Sequence, residues 1–140
     1  MVDSADVTAG QDGTATQYNN LRKDLMLAKG IRGTDADAAT ITIDWSDMTK
    51  GKTRDITLGG NRIIAFSNVT VDQWIILNFI QPGSGGPWTA SFSGSGITTI
   101  KWDSGTAPVL SQAADAIDTI IFHCTSSGNY RGYIGGMGLA

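Results

Sequence analysis

The stretch Trp74-Ile75-Ile76-Leu77-Asn78-Phe79-Ile80 decides which kind of fold this chain can adopt. In an extended strand, successive side chains point to opposite faces. Here both alternating sets of side chains are largely apolar, so each face of the strand needs a cover. A facing sheet can cover one face, and the other face needs an N-terminal helix or a neighbouring subunit. The stretch therefore predicts a buried strand within a layered β protein.

Further short strands are predicted on both sides of this stretch. Residues 40–45 alternate with period two, which places Ile41, Ile43 and Trp45 on one face. Runs rich in β-branched and aromatic residues lie between Gly-, Ser- and Asn-rich turns. These runs are residues 55–58, 62–67, 89–93, 98–102, 117–124 and 130–134. Roughly eight short strands predict a mostly β fold, with a β-sandwich or jelly-roll-like domain.

The first thirty residues follow a different pattern. Residues 1–13 are polar and predict an N-terminal arm. Beyond them, apolar side chains recur at spacings of three and four, the period of one helical face. They are Ala15, Tyr18, Leu21, Leu25 and Ala28. Lys29 and Gly30 then supply a C-terminal cation and a stop, so the pattern predicts a short helix at about residues 14–29.

This pattern divides the chain into two parts, an arm with a short helix at residues 1–30 and a β domain at residues 31–140. A helix of about fifteen residues is marginally stable alone, so its apolar stripe must be covered. We therefore expect Tyr18, Leu21 and Leu25 to form an oligomer or anchor face.

The composition argues against several classes of protein. Ten basic and thirteen acidic residues give a net charge of −3, and no run of Lys or Arg is present, so nucleic acid is not an expected partner. The longest apolar stretches, such as residues 74–77, have four residues and are far shorter than the roughly 20 residues of a membrane span. The N-terminus lacks the basic and apolar segments of a secretory signal. We expect a protein that is neither secreted nor embedded in a membrane.

The residues that carry chemistry form no recognisable catalytic or metal-binding set. The one histidine, His123, is adjacent to the one cysteine, Cys124, and neighbouring strand residues point to opposite faces. Glutamate is absent from the chain. Asp35 and Asp37 are the best candidates for calcium ligands, but the other ligand positions of a calcium loop are missing. We expect no enzyme, no cofactor and no metal site.

The aromatic residues suggest a binding surface. Three of the four tryptophans lie within or at the ends of strand patterns, which predicts core positions for Trp45, Trp74 and Trp102. Trp88 instead follows a Gly-Gly-Pro turn, where a ring is more often exposed. Tyr130 and Tyr133 lie near the other end of the β domain. We predict that Trp88, Tyr130 and Tyr133 are exposed recognition aromatics.

Residues 6–134 contain an ordered set of motifs that resembles a known group of proteins. The set includes Ala15-Thr16-Gln17-Tyr18-Asn19-Asn20-Leu21-Arg22, Ile56-Thr57-Leu58-Gly59-Gly60-Asn61, Ile100-Lys101-Trp102-Asp103-Ser104-Gly105-Thr106-Ala107-Pro108-Val109-Leu110 and Tyr130-Arg131-Gly132. As a series, these motifs resemble the recurring β domain of phage tail-fibre, head-fibre and capsid decoration proteins.

The resemblance implies a non-enzymatic structural protein of a virion, made in the host cytoplasm. It implies a capsid decoration protein or fibre component that acts in particle cohesion or host attachment. The implied partners are two further copies in a homotrimer and other virion proteins of the capsid or tail, with a host-surface glycan as a further candidate. No binding residue is carried over from the group. The alternative is a free carbohydrate-binding module that uses Trp88 and the two tyrosines.

Overall fold

Nine β-strands form two sheets in the computed structural model, which describes residues 32–47 and 49–139. In chain order they are β1 (Arg32–Thr34), β2 (Thr40–Asp44), β3 (Thr53–Thr57), β4 (Arg62–Ser67), β5 (Trp74–Ile80), β6 (Ala90–Ser91), β7 (Thr99–Trp102), β8 (Ile117–Ser126) and β9 (Asn129–Leu139). One sheet has six strands in the order β1-β3-β5-β8-β9-β7, and the other has three in the order β2-β4-β6. Strands β1 to β6 therefore alternate between the sheets.

The first six strands wind into a coil of parallel strands. β1 pairs with β3, β3 with β5, β2 with β4 and β4 with β6, all in parallel. Parallel neighbours need a crossover connection, and here each crossover contains a strand of the opposite sheet. Arg32 pairs with Thr53, and Thr53 pairs in turn with Ile76, so successive turns use similar lengths of chain. The turns stack on one another, as in a solenoid.

In the last turn of the coil, the connection between β5 and β6 contains a detour, a loop that makes it longer than the earlier connections. Arg62 of β4 pairs with Ala90 of β6, a longer step along the chain than in the earlier turns, because residues 82–87 lie outside the coil. The buried side chain of Gln81 closes this detour. Its Nε2 donates to the carbonyl oxygen of Trp88 (2.7 Å), and its Oε1 accepts from the backbone N–H of Trp88 (2.9 Å). The Gln81 amide therefore bonds to Trp88 as a neighbouring strand would.

The last three strands complete the six-stranded sheet. β8 runs antiparallel to both β5 and β9, and β7 runs parallel to β9. The mostly β fold predicted from the sequence is confirmed, and the two sheets share one core. A jelly roll is built from antiparallel strands. The predicted jelly-roll-like topology is therefore wrong, because β1 to β6 pair in parallel.

The individual strands agree closely with the sequence pattern. The strands predicted at residues 62–67 and 74–80 coincide with β4 and β5, and the other predicted strands overlap β2, β3 and β6 to β9. The short strand β1 was not predicted. The predicted helix with Tyr18, Leu21 and Leu25 lies outside the described residues. Residues 32–47 and 49–139 contain no helix that is long and apolar enough to cross a membrane.

The core lies between the two sheets and is rich in aromatic rings. The ring of Phe66 in β4 lies 5.1 Å from Trp45, 5.2 Å from Phe122 and 5.0 Å from Tyr130, measured between ring centroids. The three pairs meet edge to face, which is a favourable geometry for aromatic contacts. The inner side chains of β5 are Ile75, Leu77 and Phe79, each at most 1% exposed.

One inward-facing position of β3 holds a charged residue. Arg54 is 0% exposed. Its Nε donates to the carbonyl oxygen of Gly51 (2.8 Å), and Nη2 donates to that of Asp44 (2.7 Å). Nη1 lies 3.2 Å from the carboxylate of Asp35. The guanidinium ties the segment after β1 and the turn after β2 to β3, and it has the partners that a buried charge requires.

Candidate functional site

The candidate functional site is the outer face of the six-stranded sheet, which points away from the core. Because Ile75, Leu77 and Phe79 point inward, the alternate residues of β5 point outward. Strand pairing extends this face across the sheet. Its side chains include Asp55, Trp74, Ile76, Asn78, Ile80, Lys101, Ile117, Thr119, Ile121, His123, Arg131 and Tyr133. We call this surface the outer face.

A line of hydrogen bonds crosses four strands of the outer face, from Arg32 through Asp55 and Asn78 to Thr119. Arg32 Nε donates to Asp55 Oδ2 (2.7 Å), and Asn78 Nδ2 donates to Asp55 Oδ1 (2.9 Å). Thr119 Oγ1 donates to Asn78 Oδ1 (2.7 Å). The hydrogen bond from Arg32 lowers the pKa of Asp55. Burial raises this pKa, and the hydrogen bond from Asn78 lowers it further. We call these four residues the polar ladder.

The polar ladder separates two parts of the outer face. On one side lie Ile80, Ile117 and Leu139, which strand pairing brings into one line. The first two are half-buried and Leu139 is exposed. We call these three residues the aliphatic strip. On the other side lie Ile76, Ile121 and the aromatic residues described next.

Three rings are stacked at the other side of the polar ladder. Trp74 and His123 pair directly across β5 and β8, and their rings are parallel to within 10° at a centroid distance of 4.2 Å. The ring of Tyr133 lies 5.8 Å from that of Trp74, at 21°. His123 Nε2 is 3.3 Å from Asp72 Oδ1. Trp74 is therefore held by its neighbours although it is 48% exposed, more than the other three tryptophans.

Two cations lie beside this stack. Arg131 of β9 pairs with His123 of β8 on one side and with Lys101 of β7 on the other. Both cations are exposed. Together with Thr99, Thr125, Ser126 and Asn129 they line a cleft of about 270 Å³.

A larger cleft, of about 630 Å³, opens between β6 and β7. β6 is the last strand of the three-stranded sheet and β7 is the last strand of the six-stranded sheet, so the layers end together here. The apolar lining consists largely of Phe92, Ile97, Ile100 and Trp102, which also pack against the core. This cleft is the open margin of the core.

The prediction that Tyr130 is an exposed recognition residue is wrong. Tyr130 is 2% exposed, because the alternation of β9 turns it inward against Phe66. Its hydroxyl donates to the carbonyl oxygen of Gly96 (2.8 Å). Burial raises the pKa of Tyr130 to about 12.

The other predicted aromatics divide between core and surface. Trp88 is half-buried and packs against the core, so its predicted exposure is not found. Tyr133 does lie on the outer face, where it is half-buried beside Trp74. The prediction of a core position for Trp74 is wrong. The alternation along β5 could have located Trp74 on the outer face, because Trp74 is out of phase with the inward residues Ile75 and Leu77.

His123 and Cys124 point to opposite faces, as their adjacency predicts. His123 lies on the outer face, whereas Cys124 is buried and its Sγ is 3.3 Å from the carbonyl oxygen of Ser126. Burial raises the pKa of the Cys124 thiol, and the charge of Asp72 adds to this effect. The thiol therefore stays protonated at neutral pH, which is the unreactive form.

The two aspartates considered as calcium ligands bond to separate cations. Asp35 accepts from Lys50 (2.9 Å) and Arg54, and Asp37 accepts from Nε of Arg62 (2.7 Å). The hydrogen bond from Arg62 lowers the pKa of Asp37. Within the part of the chain that the structure describes, no group of three His, Cys, Asp or Glu residues is placed to hold a metal ion.

No protein-family model, curated protein or solved structure matches this chain.

Proposed function

We propose that this chain is a non-enzymatic structural protein of a virion, as a capsid decoration protein or a fibre component, and that it acts in particle cohesion or host attachment. The outer face carries the proposal, because it presents aromatic and aliphatic side chains on a broad sheet surface. Exposed apolar surface of this kind marks contact sites. The resemblance of the sequence motifs to phage fibre and decoration proteins supports the same role.

The mechanism of the proposed role is burial of surface against a partner. The polar ladder fixes the centre of the outer face, since Asn78 is 6% exposed and bonded on both sides. The stack around Trp74 is fixed in the same way by ring contacts. A surface whose side chains are already ordered loses little conformational entropy on binding.

We further propose that three copies of the chain associate. The aliphatic strip is the proposed contact between copies, because Leu139 and its neighbours form a continuous apolar line. Closed symmetry buries such a strip without forming open filaments. The number three comes from the resemblance, and Tyr18, Leu21 and Leu25 are the proposed anchor or trimer contacts of the N-terminal segment. Light scattering that finds only the 14.7 kDa chain at all concentrations would contradict the trimer.

The experiment that tests the virion role is antibody labelling of purified particles. A structural role predicts label at regular positions on heads or tails, seen by electron microscopy, and the chain co-sedimenting with particles. Antibody that has been pre-absorbed with the purified chain is the control. A chain found only in the particle-free fraction would overturn the proposal.

A free carbohydrate-binding module is the second candidate function. The stacked rings of Trp74 and Tyr133 favour it, because sugar-binding modules use ordered aromatic rings as platforms. Sugar binding by a monomer that never associates with particles would favour this candidate over the virion role.

A further inference from the structure

We propose that the row Trp74, His123, Arg131 and Lys101 on the outer face is a binding site for an acidic saccharide. Strand pairing places these four residues side by side on β5, β8, β9 and β7. The row thus joins an exposed aromatic ring at one end to two cations at the other. The inference deepens the attachment role proposed above, on which it rests, by naming the class of ligand.

The two cations are the first line of support. Lys101 and Arg131 pair in register on neighbouring strands, where like charges repel each other. Neither has a carboxylate within salt-bridge distance among the described residues, whereas Arg32, Lys50, Arg54 and Arg62 each pair with an aspartate. A bound anion would remove the repulsion between Lys101 and Arg131.

The negative net charge of the chain makes the positive pair of Lys101 and Arg131 a local feature of the surface. At −3, the protein as a whole repels polyanions. Asp72, the acidic residue bonded to the row, lies at the β5 end beside His123, and Arg131 separates His123 from Lys101. Asp103 follows Lys101 by two residues at the β7 end, where the two cations outweigh its single charge, so an anion is attracted to this end of the row and not to the surface in general.

The surroundings of the cations suit hydroxyl groups. The cleft of about 270 Å³ beside them is lined by Thr99, Thr125, Ser126 and Asn129. Thr125 and the Asn129 amide nitrogen donate to neighbouring oxygens, so the groups that face a ligand are Asn129 Oδ1 and the hydroxyls of Thr99 and Ser126. A saccharide hydroxyl both donates and accepts, so it can pair with either kind of group. A simple inorganic anion would leave most of this lining unused.

The aromatic end of the row is the second line of support. A pyranose ring has a face of C–H groups that packs on an aromatic ring, and Trp74 offers such a ring at 48% exposure. Its stacking on His123 at 4.2 Å holds the ring before any ligand binds. Preorganisation of this kind lowers the entropic cost of binding.

The position and length of the row favour a saccharide over a peptide. Extended peptides usually add to the edge of a sheet through backbone hydrogen bonds, whereas this row presents side chains across a sheet face. Neighbouring strands are about 4.8 Å apart, so the row spans roughly 14 Å from Trp74 to Lys101. A ligand that reaches both ends has more than one sugar unit.

The test measures binding of four polymers to the purified full chain by calorimetry and tryptophan fluorescence. Polygalacturonate carries carboxylates, dextran sulfate carries sulfates, dextran is neutral, and polyglutamate is an acidic peptide. We expect at least one acidic polysaccharide to bind, and added salt to weaken its binding by screening. Binding of only one acidic polysaccharide identifies the anion, and binding of both shows that the site accepts either a carboxylate or a sulfate.

Substitutions in the row then assign the site. We expect Trp74→Ala, and separately Lys101→Gln with Arg131→Gln, to lower the affinity at least tenfold, and Trp74→Tyr to restore most of it. Arg62→Gln is the matched control, because it removes one cation from the three-stranded sheet, away from the outer face, and is compared with Lys101→Gln alone. Melting curves confirm that each variant is folded.

Four results would overturn the inference. The first is equal binding of neutral dextran. The second is equal binding of polyglutamate, which would indicate an acidic peptide ligand. The third is an equal loss of affinity with Arg62→Gln and Lys101→Gln, and the fourth is no binding of either acidic polysaccharide by the folded chain. Particle labelling tests the virion role separately. Absence of the chain from particles leaves the polymer affinities unaffected, and loss of polymer binding leaves the labelling unaffected.

Discussion

The two faces of β5 have similar apolar content but different surroundings. Ile75, Leu77 and Phe79 point inward and are at most 1% exposed, whereas the outward set runs from half-exposed Trp74 to Asn78 at 6%. The inward side chains pack against a second sheet. The outward ones are ordered by one another, through ring stacking and the polar ladder. An apolar strand face can therefore be fixed in place without being part of the core.

The largest expected effect is on the inner face. Leu77→Ala should lower the free energy of unfolding by about 3–5 kcal/mol, because it leaves a cavity between the sheets. Ile76→Ala, at the adjacent position on the outer face, should lower it by about 1 kcal/mol, since this side chain is only half-buried. Denaturant unfolding of both variants measures the difference. Equal losses would show that the outer face is covered as fully as the inner one.

Arg54 tests the charged position on the inner side. Arg54→Met should lower the free energy of unfolding by about 3 kcal/mol, because it leaves the carbonyl oxygens of Gly51 and Asp44 without their donor in a buried site. Arg32→Gln removes a cation from the exposed end of the polar ladder and should have a much smaller effect. Chemical denaturation compares the two. A similar loss for both would mean that Arg54 adds nothing beyond a surface ion pair.

The polar ladder should show an intermediate effect. Asn78→Ala removes the donor to Asp55 and the acceptor of Thr119, which should lower the free energy of unfolding by about 1–2 kcal/mol. Thr57→Ala, at an exposed outward position of β3, is the control and should be nearly neutral. If both variants unfold at the same denaturant concentration as the wild type, the ladder does not order the outer face.

Replacing Trp74 should lower stability less than replacing Leu77, Arg54 or Asn78. Trp74→Ala loses ring contacts with His123 and Tyr133, which are worth about 1 kcal/mol. Thermal unfolding measures this loss, and Trp45→Ala in the core should cost about 3–5 kcal/mol. A loss for Trp74 as large as that for Trp45 would place Trp74 in a buried contact and remove it from the binding row.

The strands were predictable from sequence, but their pairing was not. Alternation within a strand is a local signal, and it located β2, β4 and β5 well. Parallel pairing depends on residues that are far apart in the chain. The chain does carry a trace of it, since Ile41 pairs with Ile64 and Ile43 with Phe66, at the same separation in sequence. Two apolar pairs at one spacing are too weak a repeat to distinguish a coil from a set of hairpins.

The candidate site was predicted in part. Tyr133 was named as a recognition residue and lies on the outer face, but Trp74 was assigned to the core. The strand alternation indicates the outer face, because Trp74 is adjacent to the inward Ile75. The prediction of a core position followed from the apolar ring, which is usually buried in an apolar strand. Nothing local to Arg131 or Lys101 showed that they would be neighbours, because β9 and β7 meet only through the long-range order of the sheet. Charge placement across strands therefore required the structure.

The two hydrogen bonds between the Gln81 side chain and the backbone of Trp88 hold the two ends of the connection at residues 82–87 together. Because one side chain closes the detour from within, residues 82–87 do not contribute to the alignment of β4 with β6. We expect this segment, which lines a cleft with residues 112–114, to accept added or removed residues while the stacked turns keep their spacing. A peptide tag inserted there would project from a loop whose two ends Gln81 holds together. Related chains would be expected to differ in length at this position.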